Sequence, residues 1–435
     1  MKMEDMILVS VDDHIVEPPD LFQNHMTSEQ LANAPKLVSQ GGIEFWVYED
    51  KTLPSIGLNA VAGRVPEEYG CEPTAFAQMR KGCYDVDARI DDMNINGILG
   101  SLCFGSFVGF AGELFISAKD KANALTIIQA YNDWHIDEWC GAHPGRFIPM
   151  AILPLWDAEL AAAEIKRVKQ KGCNTVSFID NPSTKGLPSL HGDFWEPFWK
   201  ACSENEMAIC CHIGSGNQPP HPSMESPFEV WTATFPMAIA LGAADWIHLS
   251  ALQRYPNLKV ALSEGGIGWI PYLMERADYV NTRHKAWTRS DFGAEKPSDI
   301  FRKHFYTCFI DDKYGLQNLQ NLELDKVMYE ADYPHSDCPW PNAPEQLFES
   351  LKHLDDDQIN KITHLNAMKL FQYDPFSVLD RDQCTVGALR DKARNVDVTP
   401  LSFGERPIGD ITRPVTSADI AELFAKGLAA TAGNR

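Results

Sequence analysis

The sequence lacks three features that would place the chain in a special class of protein. No apolar run approaches the about 18 residues that a membrane-spanning helix needs, so we expect no such helix. The eleven cysteines form no Cys-x-x-Cys pair, which argues against a redox or zinc motif of that kind. Positive charge is scarce: 38 lysines and arginines stand against 60 acidic residues, giving a net charge of −22. Nucleic acids and anionic membranes are therefore not expected partners.

The N-terminal segment also lacks the apolar stretch of a secretory signal peptide. Together with the odd number of cysteines, this predicts reduced thiols and a cytoplasmic protein. The 435 residues are 44% hydrophobic, which is enough for one large core. The length exceeds the about 250 residues of a simple β/α barrel, so insertions or extensions are expected.

Short apolar runs recur along the chain, and helical patterns follow most of them. The runs that we interpret as strands are 6–12, 97–104, 146–153, 173–179, 207–212, 258–264, 305–310 and 327–332. The clearest helical patterns are 157–171, 194–206, 269–279 and 346–354. Strands that alternate with helices form a parallel sheet, and eight of them close into a barrel. We therefore predict an α/β fold, a (β/α)8 TIM barrel, over residues 1–375.

Three segments depart from this alternation. Residues 26–90 are polar and rich in turn signals, which predicts an insertion after the first strand that covers the mouth of the barrel. Residues 213–235 are irregular and predict a lid or substrate wall. Residues 376–435 form a C-terminal extension with a predicted helix at 417–426. This extension has too little core to fold alone, so we expect it to wrap its own barrel or a neighbouring subunit.

Acidic or imidazole side chains close several predicted strands. Asp12 and His14 end the first strand and, two residues apart, share one face. His212, Glu264 and Asp332 end three later strands. Each alone could be a solvated loop residue or a helix N-cap, but the carboxyl ends of barrel strands meet at one mouth. We therefore predict that these side chains bind a divalent transition metal ion.

Several details of this site remain open at the level of sequence. Asp12 is preferred to Asp13 as a ligand because Asp13 projects to the opposite strand face. Glu264 is either a ligand or a catalytic carboxylate beside the ligands, and His335 and Asp337 follow the eighth strand closely enough to reach the site. Two imidazoles with several carboxylates favour Zn²⁺, Mn²⁺ or Fe²⁺ over Ca²⁺. One ion is favoured, and two are an alternative.

Motifs in order over most of residues 6–372 resemble the amidohydrolase-related family, in the branch of the aminocarboxymuconate semialdehyde and γ-resorcylate decarboxylases. They include Ser-Val-Asp-Asp-His-Ile-Val-Glu-Pro-Pro at 10–19, His212-Ile213-Gly214, Ser263-Glu264-Gly265-Gly266 and Ala331-Asp332-Tyr333-Pro334-His335. Asp12 replaces the first histidine of the usual His-x-His pair, as in resorcylate-type members, and Glu264 replaces a histidine found in many members. The lysine that bridges two metals in other branches of the superfamily is absent from 173–179.

The resemblance implies a metal-dependent enzyme that acts on a small organic molecule by hydrolysis or by non-oxidative decarboxylation. It implies that Asp332 both binds the metal and moves a proton, with Glu264 and His335 as further catalytic candidates. The carboxylate-rich ligand set keeps a second class open, a dimetal iron or manganese monooxygenase that activates O₂, for example to hydroxylate an amine. A non-catalytic partner subunit of such an enzyme is a third interpretation. We expect a homo-oligomer, or a hetero-oligomer with a related chain.

Overall fold

The computed structural model describes residues 1–405 and 412–423, and strands and helices alternate along most of this part. The strands are β1 (Leu8–His14), β2 (Lys36–Gln40), β3 (Ile43–Tyr48), β4 (Lys51–Leu53), β5 (Ile98–Phe104), β6 (Phe147–Ile148), β7 (Thr175–Ser177), β8 (Ala208–His212), β9 (Lys259–Ser263), β10 (Phe305–Phe309) and β11 (Val327–Tyr329). The helices up to residue 254 are α1 (Ser28–Leu31), α2 (Val86–Ile95), α3 (Lys121–Trp134), α4 (Ala158–Gln170), α5 (Glu196–Glu204), α6 (Phe228–Ala233), α7 (Phe235–Trp246) and α8 (Ser250–Arg254). The later ones are α9 (Ile270–Thr288), α10 (Pro297–His304), α11 (Lys313–Gln317), α12 (Ala343–Leu351), α13 (Asp356–Asn360), α14 (Asn366–Phe371) and α15 (Val386–Lys392). None of these helices is long and apolar enough to cross a membrane.

Eight parallel strands form the centre of the fold, as predicted. They lie in two sheets, ordered β1-β5-β6 and β11-β10-β9-β8-β7. On one side the sheets meet where Ala151 pairs with Val176. On the other side the amide of Asp332 donates to the carbonyl of Asp12 at 2.8 Å. This is the strand order of a β/α barrel, although within the described residues the strand ladder is not continuous around the ring.

Apolar side chains from seven of the eight strands of this ring, all except β7, fill its interior. They belong to a buried cluster that includes Val9, Val11, Leu102, Phe104, Ile148, Ala208, Cys210, Ala261, Cys308 and Met328. The opposite faces of the strands pack against the surrounding helices in a larger cluster. Burial of both faces explains why these strands appear in the sequence as short continuous apolar runs. The ionisable side chains Asp12, His14 and His212 lie at the carboxyl ends of these strands.

The segment between β1 and β5 leaves the barrel and returns to its mouth. Strands β2, β3 and β4 form a separate antiparallel sheet. Trp46 of this sheet stacks on Phe107 with ring centroids 4.2 Å apart. The amides of Val61 and Ala62 both donate to the carbonyl of Pro334, which follows β11. Helix α2 begins at Val86, inside the range predicted as insertion, because it is the helix that leads into β5.

The C-terminal segment, as far as it is described, lies against its own chain. The amide of Val386 donates to the carbonyl of Met6 at 2.8 Å, and the carboxylate of Glu68 accepts from the amides of Phe403 and Gly404. Residues 412–423 dock on the loop after β8, where the amide of Ser417 donates to a carbonyl of that loop. Residues 417–423 are helical, and residues 424–426 of the predicted helix lie outside the described residues.

A buried arginine couples the helical layer to the first strand. Arg89 of α2 is 1% exposed and donates to the carbonyls of Gly82 and His14, each at 2.5 Å. Burial raises the pKa of Asp13, and the positive charge of Arg89 partly offsets this rise. The guanidinium lies 4.5 Å from the ring centre of Tyr333. A single cation therefore satisfies polar groups of β1 and of the insertion.

We expect Arg89→Met to lower the free energy of unfolding by about 3–5 kcal/mol, because Asp13 loses its buried cation and two carbonyls lose their donors. Urea unfolding followed by circular dichroism measures this change. Arg394→Met is the matched control: that side chain is 74% exposed, and its removal should cost less than about 0.5 kcal/mol. Equal stabilities of the two variants would contradict the role of Arg89.

Candidate metal centre

Five of the predicted side chains meet at the carboxyl ends of the barrel strands. The Nε2 atom of His14 lies 3.5 Å from Oδ1 of Asp12 and 3.2 Å from Oδ1 of Asp332. The Nε2 atom of His212 lies 3.4 Å from Oδ2 of Asp12 and 3.3 Å from Oε2 of Glu264. These side chains come from four strands that are far apart in sequence. The tertiary fold thus brings together the residues predicted as metal ligands.

A β-bulge in β1 directs Asp12 into this centre. Ser10 pairs with Ser101 and Asp13 with Cys103, so β1 has one residue more than β5 over this stretch. Val11 faces the barrel interior, yet the bulge turns the next residue, Asp12, inwards too. Asp13 points away and accepts from the hydroxyl of Ser10 and from the amide of Tyr333. The preference for Asp12 over Asp13 thus agrees with the local geometry.

The two histidines are held in ligand-like orientations. The Nδ1 atom of His212 donates to the carbonyl of Ile213 at 2.6 Å, which leaves Nε2 with a free lone pair. The rings of Phe104 and Phe110 lie 4.8 and 4.0 Å from that of His212. Burial lowers the pKa of both His14 and His212, so both imidazoles are neutral at pH 7. A neutral imidazole is the form that binds a metal.

The carboxylates are buried and close to one another. Burial raises the pKa of Asp12, and Asp332 raises it further. Burial likewise raises the pKa of Glu264, with added repulsion from Asp332 and Asp12. Burial also acts to raise the pKa of Asp332, but His335 and His14 outweigh it and hold that pKa below its usual value. A divalent cation between these groups would favour the ionised form of all three carboxylates.

Residue His335 adjoins the centre. Its Nδ1 atom lies 2.9 Å from Oδ1 of Asp332, and its ring centre lies 3.8 Å from that of His14. A cavity of about 320 Å³ opens beside Glu264. Its apolar walls include Phe235, Trp269 and Phe309, and its acidic lining includes Asp311, Asp312, Glu330 and Asp337. The predicted Asp337 thus lies at the cavity.

Two features of the site were not predicted. Glu330 is 1% exposed, and its Oε2 atom accepts from the amide of Glu264 at 3.0 Å. Its position two residues before Asp332 was a usable signal, because alternate strand residues share a face. Asp180, which follows β7, accepts from Ser215 and Asn217 and anchors the turn after His212. The rule of a polar residue at each strand end would have identified Asp180 as well.

The donor atoms fit a divalent metal ion. Both carboxylate oxygens of Asp12 and of Asp332, both ring nitrogens of His14, and Nε2 of His212 and of His335 are buried without a hydrogen bond. Buried polar atoms without partners are rare in proteins, and here they fit a binding site for an ion. Asp12, His14 and His212 form one group of donors within 4.8 Å, and His14, Asp332 and His335 form another. Glu264 contacts His212 but belongs to neither group.

Known proteins resemble this chain in sequence. Residues 65–372 match the family model described as Amidohydrolase. A 2-amino-3-carboxymuconate-6-semialdehyde decarboxylase of Dictyostelium discoideum is 26% identical over 356 residues, which is 79% of this chain and 89% of that protein. A γ-resorcylate decarboxylase of a Polaromonas species is 28% identical over 331 residues, covering 72% of this chain and 93% of that protein.

A solved structure extends the likeness to the fold. The 5-carboxyvanillate decarboxylase of Novosphingobium aromaticivorans, complexed with manganese and 4-hydroxy-3-methoxy-5-nitrobenzoic acid, superimposes with a TM-score of 0.59 at 18% identity. The match covers 86% of this chain and 99% of that one. The family model spans well over half of the chain. The relatives above are decarboxylases of the branch that the sequence motifs resemble. The chain therefore belongs to the amidohydrolase family and is an enzyme of its metal-dependent hydrolase and carboxy-lyase type.

Proposed function

We propose that this protein is a metal-dependent carboxy-lyase that removes a carboxyl group, without oxidation, from a small aromatic acid. The observation that carries the proposal is the set of buried donor atoms of Asp12, His14, His212 and Asp332 that have no hydrogen-bond partner. The decarboxylases among the relatives support this reaction over hydrolysis. They give no support to a dimetal monooxygenase or to a non-catalytic partner subunit.

One divalent ion, manganese by analogy with the solved relative, would be held by Asp12, His14, His212 and Asp332. When bound, it would supply positive charge that orients the substrate carboxylate and an adjacent oxygen. Decarboxylation leaves negative charge on a carbon atom, which must then take up a proton. His335 is the candidate proton carrier: its Nδ1 atom faces Asp332, and its Nε2 atom is buried without a partner.

The cavity beside Glu264 would accept the substrate. Its volume of about 320 Å³ is at the lower end of small-molecule sites, which suits a single aromatic ring. Phe235, Trp269 and Phe309 would pack against the ring faces and exclude water from the reacting carbon. Asp332 would keep the imidazole of His335 oriented towards that carbon.

Release of CO₂ from a panel of hydroxylated benzoic acids by the manganese-loaded enzyme tests the reaction. We expect turnover of at least one such acid. His212→Ala should lose manganese and turnover and remain folded, because His212 lies at the carboxyl end of β8, at the edge of the apolar interior. Metal content by mass spectrometry and far-UV circular dichroism serve as controls. Hydrolysis of amides or esters without any CO₂ release would overturn the proposal.

Glu264 distinguishes one metal ion from two. With one ion, Glu264→Gln should slow decarboxylation about 10–100-fold and still bind one manganese per chain at saturating manganese, because Glu264 then acts beside the ligands. Glu349→Gln, at a side chain 66% exposed, is the matched control and should change neither rate nor metal content. A fall from two ions to one per chain, with loss of O₂ consumption, would instead establish the dimetal alternative.

We also propose a cytoplasmic homo-oligomer and keep residues 376–435 as an extension of the barrel domain. All eleven cysteines are free and buried, as in a reducing compartment. Tyr272, Tyr279 and Trp287 of α9 are 75%, 57% and 73% exposed and follow one side of that helix, an aromatic surface typical of interfaces. Sedimentation should show self-association at micromolar concentration, and Tyr279→Glu should weaken it. A stable monomer, or association only with a related chain, would contradict this proposal.

A further inference from the structure

Glu330 is buried near the candidate metal centre but is not one of the candidate metal ligands. It follows β11 directly, is 1% exposed, and its side chain contacts Cys308 of β10 and Glu264 at the end of β9. The Glu330 side chain accepts two hydrogen bonds, both at Oε2. One comes from the amide of Glu264 at 3.0 Å and the other from Sγ of Cys308 at 2.6 Å. Within the described residues, Glu330 belongs to neither group of candidate metal donors.

Glu264 needs an external partner for its amide because the strand ladder has ended. The pairing of β9 with β8 stops at Ser263, and that with β10 stops at Leu262. Glu264 has a φ of +56°, a left-handed conformation that side chains other than glycine rarely adopt. This conformation accompanies the approach of its carboxylate to 3.3 Å from Nε2 of His212.

Asp332 shows the same geometry with a different partner. Its φ is +53°, and its amide donates to the main-chain carbonyl of Asp12 at 2.8 Å. Glu264 and Asp332 therefore both combine a left-handed backbone with an amide bound by a residue of another strand end. For the amide of Asp332 the acceptor is a main-chain carbonyl, and no side-chain substitution can remove it. For Glu264 the acceptor is the side chain of Glu330, so its contribution can be measured.

We propose that Glu330 is a positioning residue, which holds Glu264 in its left-handed conformation and thereby sets the Glu264 carboxylate against the metal centre. The proposal rests on the proposed function, since it assumes a metal ion at His212. It adds a role for a residue that makes no contact with the ion. Loss of the acceptor should let Glu264 relax to an ordinary backbone conformation and withdraw its carboxylate.

The test compares variants at Glu330 by manganese affinity and by the electron paramagnetic resonance spectrum of bound Mn²⁺. Glu330→Met keeps the length of the side chain but removes the acceptor, and should weaken manganese binding about 10–100-fold with a changed spectrum. Glu330→Gln keeps one carbonyl oxygen for both contacts, and should stay within about 3-fold of the unmodified enzyme. Cys308→Ala removes the other contact of the same oxygen, and should leave affinity and spectrum unchanged.

A double-mutant cycle separates positioning from a general loss of structure. If Glu330 acts through Glu264, adding Glu330→Met to Glu264→Gln should weaken manganese binding no further. Equal losses in both backgrounds would overturn the proposal, as would a lower melting temperature with unchanged affinity and spectrum. If Glu330→Met does not fold, Glu330→Asp, which retracts the acceptor, enters the same cycle with the same expected outcome.

The same experiment separates this proposal from the proposed reaction. Manganese affinity and the spectrum are measured without substrate, so they hold even if the enzyme releases no CO₂ from any acid tested. An unmodified enzyme that binds no manganese would overturn the metal centre and, with it, the role of Glu330.

Discussion

The burial of several ionisable groups without hydrogen-bond partners is the constraint on which the rest of the structure depends. Asp12 and Asp332 are fully buried and approach the imidazole of His14, yet none of their carboxylate oxygens makes a hydrogen bond. Such burial is costly unless a cation compensates it. The barrel tolerates this cost at its mouth because the apolar interior beneath supplies the stability. Folding energy and site chemistry are thus located in different layers of the same strands.

Local departures from regular strand geometry create the site. The bulge in β1 turns Asp12 inwards after Val11, and left-handed residues at Glu264 and Asp332 redirect two further carboxylates. Both left-handed residues have a partner from another strand: the carbonyl of Asp12 accepts from the amide of Asp332, and the carboxylate of Glu330 accepts from that of Glu264. Backbone strain at functional positions persists only where surrounding contacts determine the conformation. The network around the centre supplies those contacts.

The surroundings of the centre are built from segments outside the barrel. The insertion contacts the carbonyl of Pro334 after β11, and residues 412–423 contact the loop after β8. That loop leads into α6 and then α7, and Phe235 of α7 lines the cavity. The extension therefore contacts the loop that precedes this part of the cavity wall, and among the described residues it contributes no side chain to the candidate metal centre. Arg89 couples the helical layer to His14 in a comparable way.

The sequence by itself determined the eight strands, because each is an apolar run buried on both faces, and the candidate ligands, because each closes such a run. It also indicated the family through the motifs around Asp12, His212 and Asp332. Only the tertiary structure decided which carboxylates lie close together, since distances between strand ends depend on register and on the bulge at Asp12. The hydrogen-bond partners of Glu330 and Asp180 also required it, because Glu330 contacts the amide of Glu264 and Asp180 contacts Asn217, both distant in the chain. The pattern of apolar and polar residues shows which strand a residue belongs to and where it lies along that strand. The site, in contrast, is formed by contacts between strands.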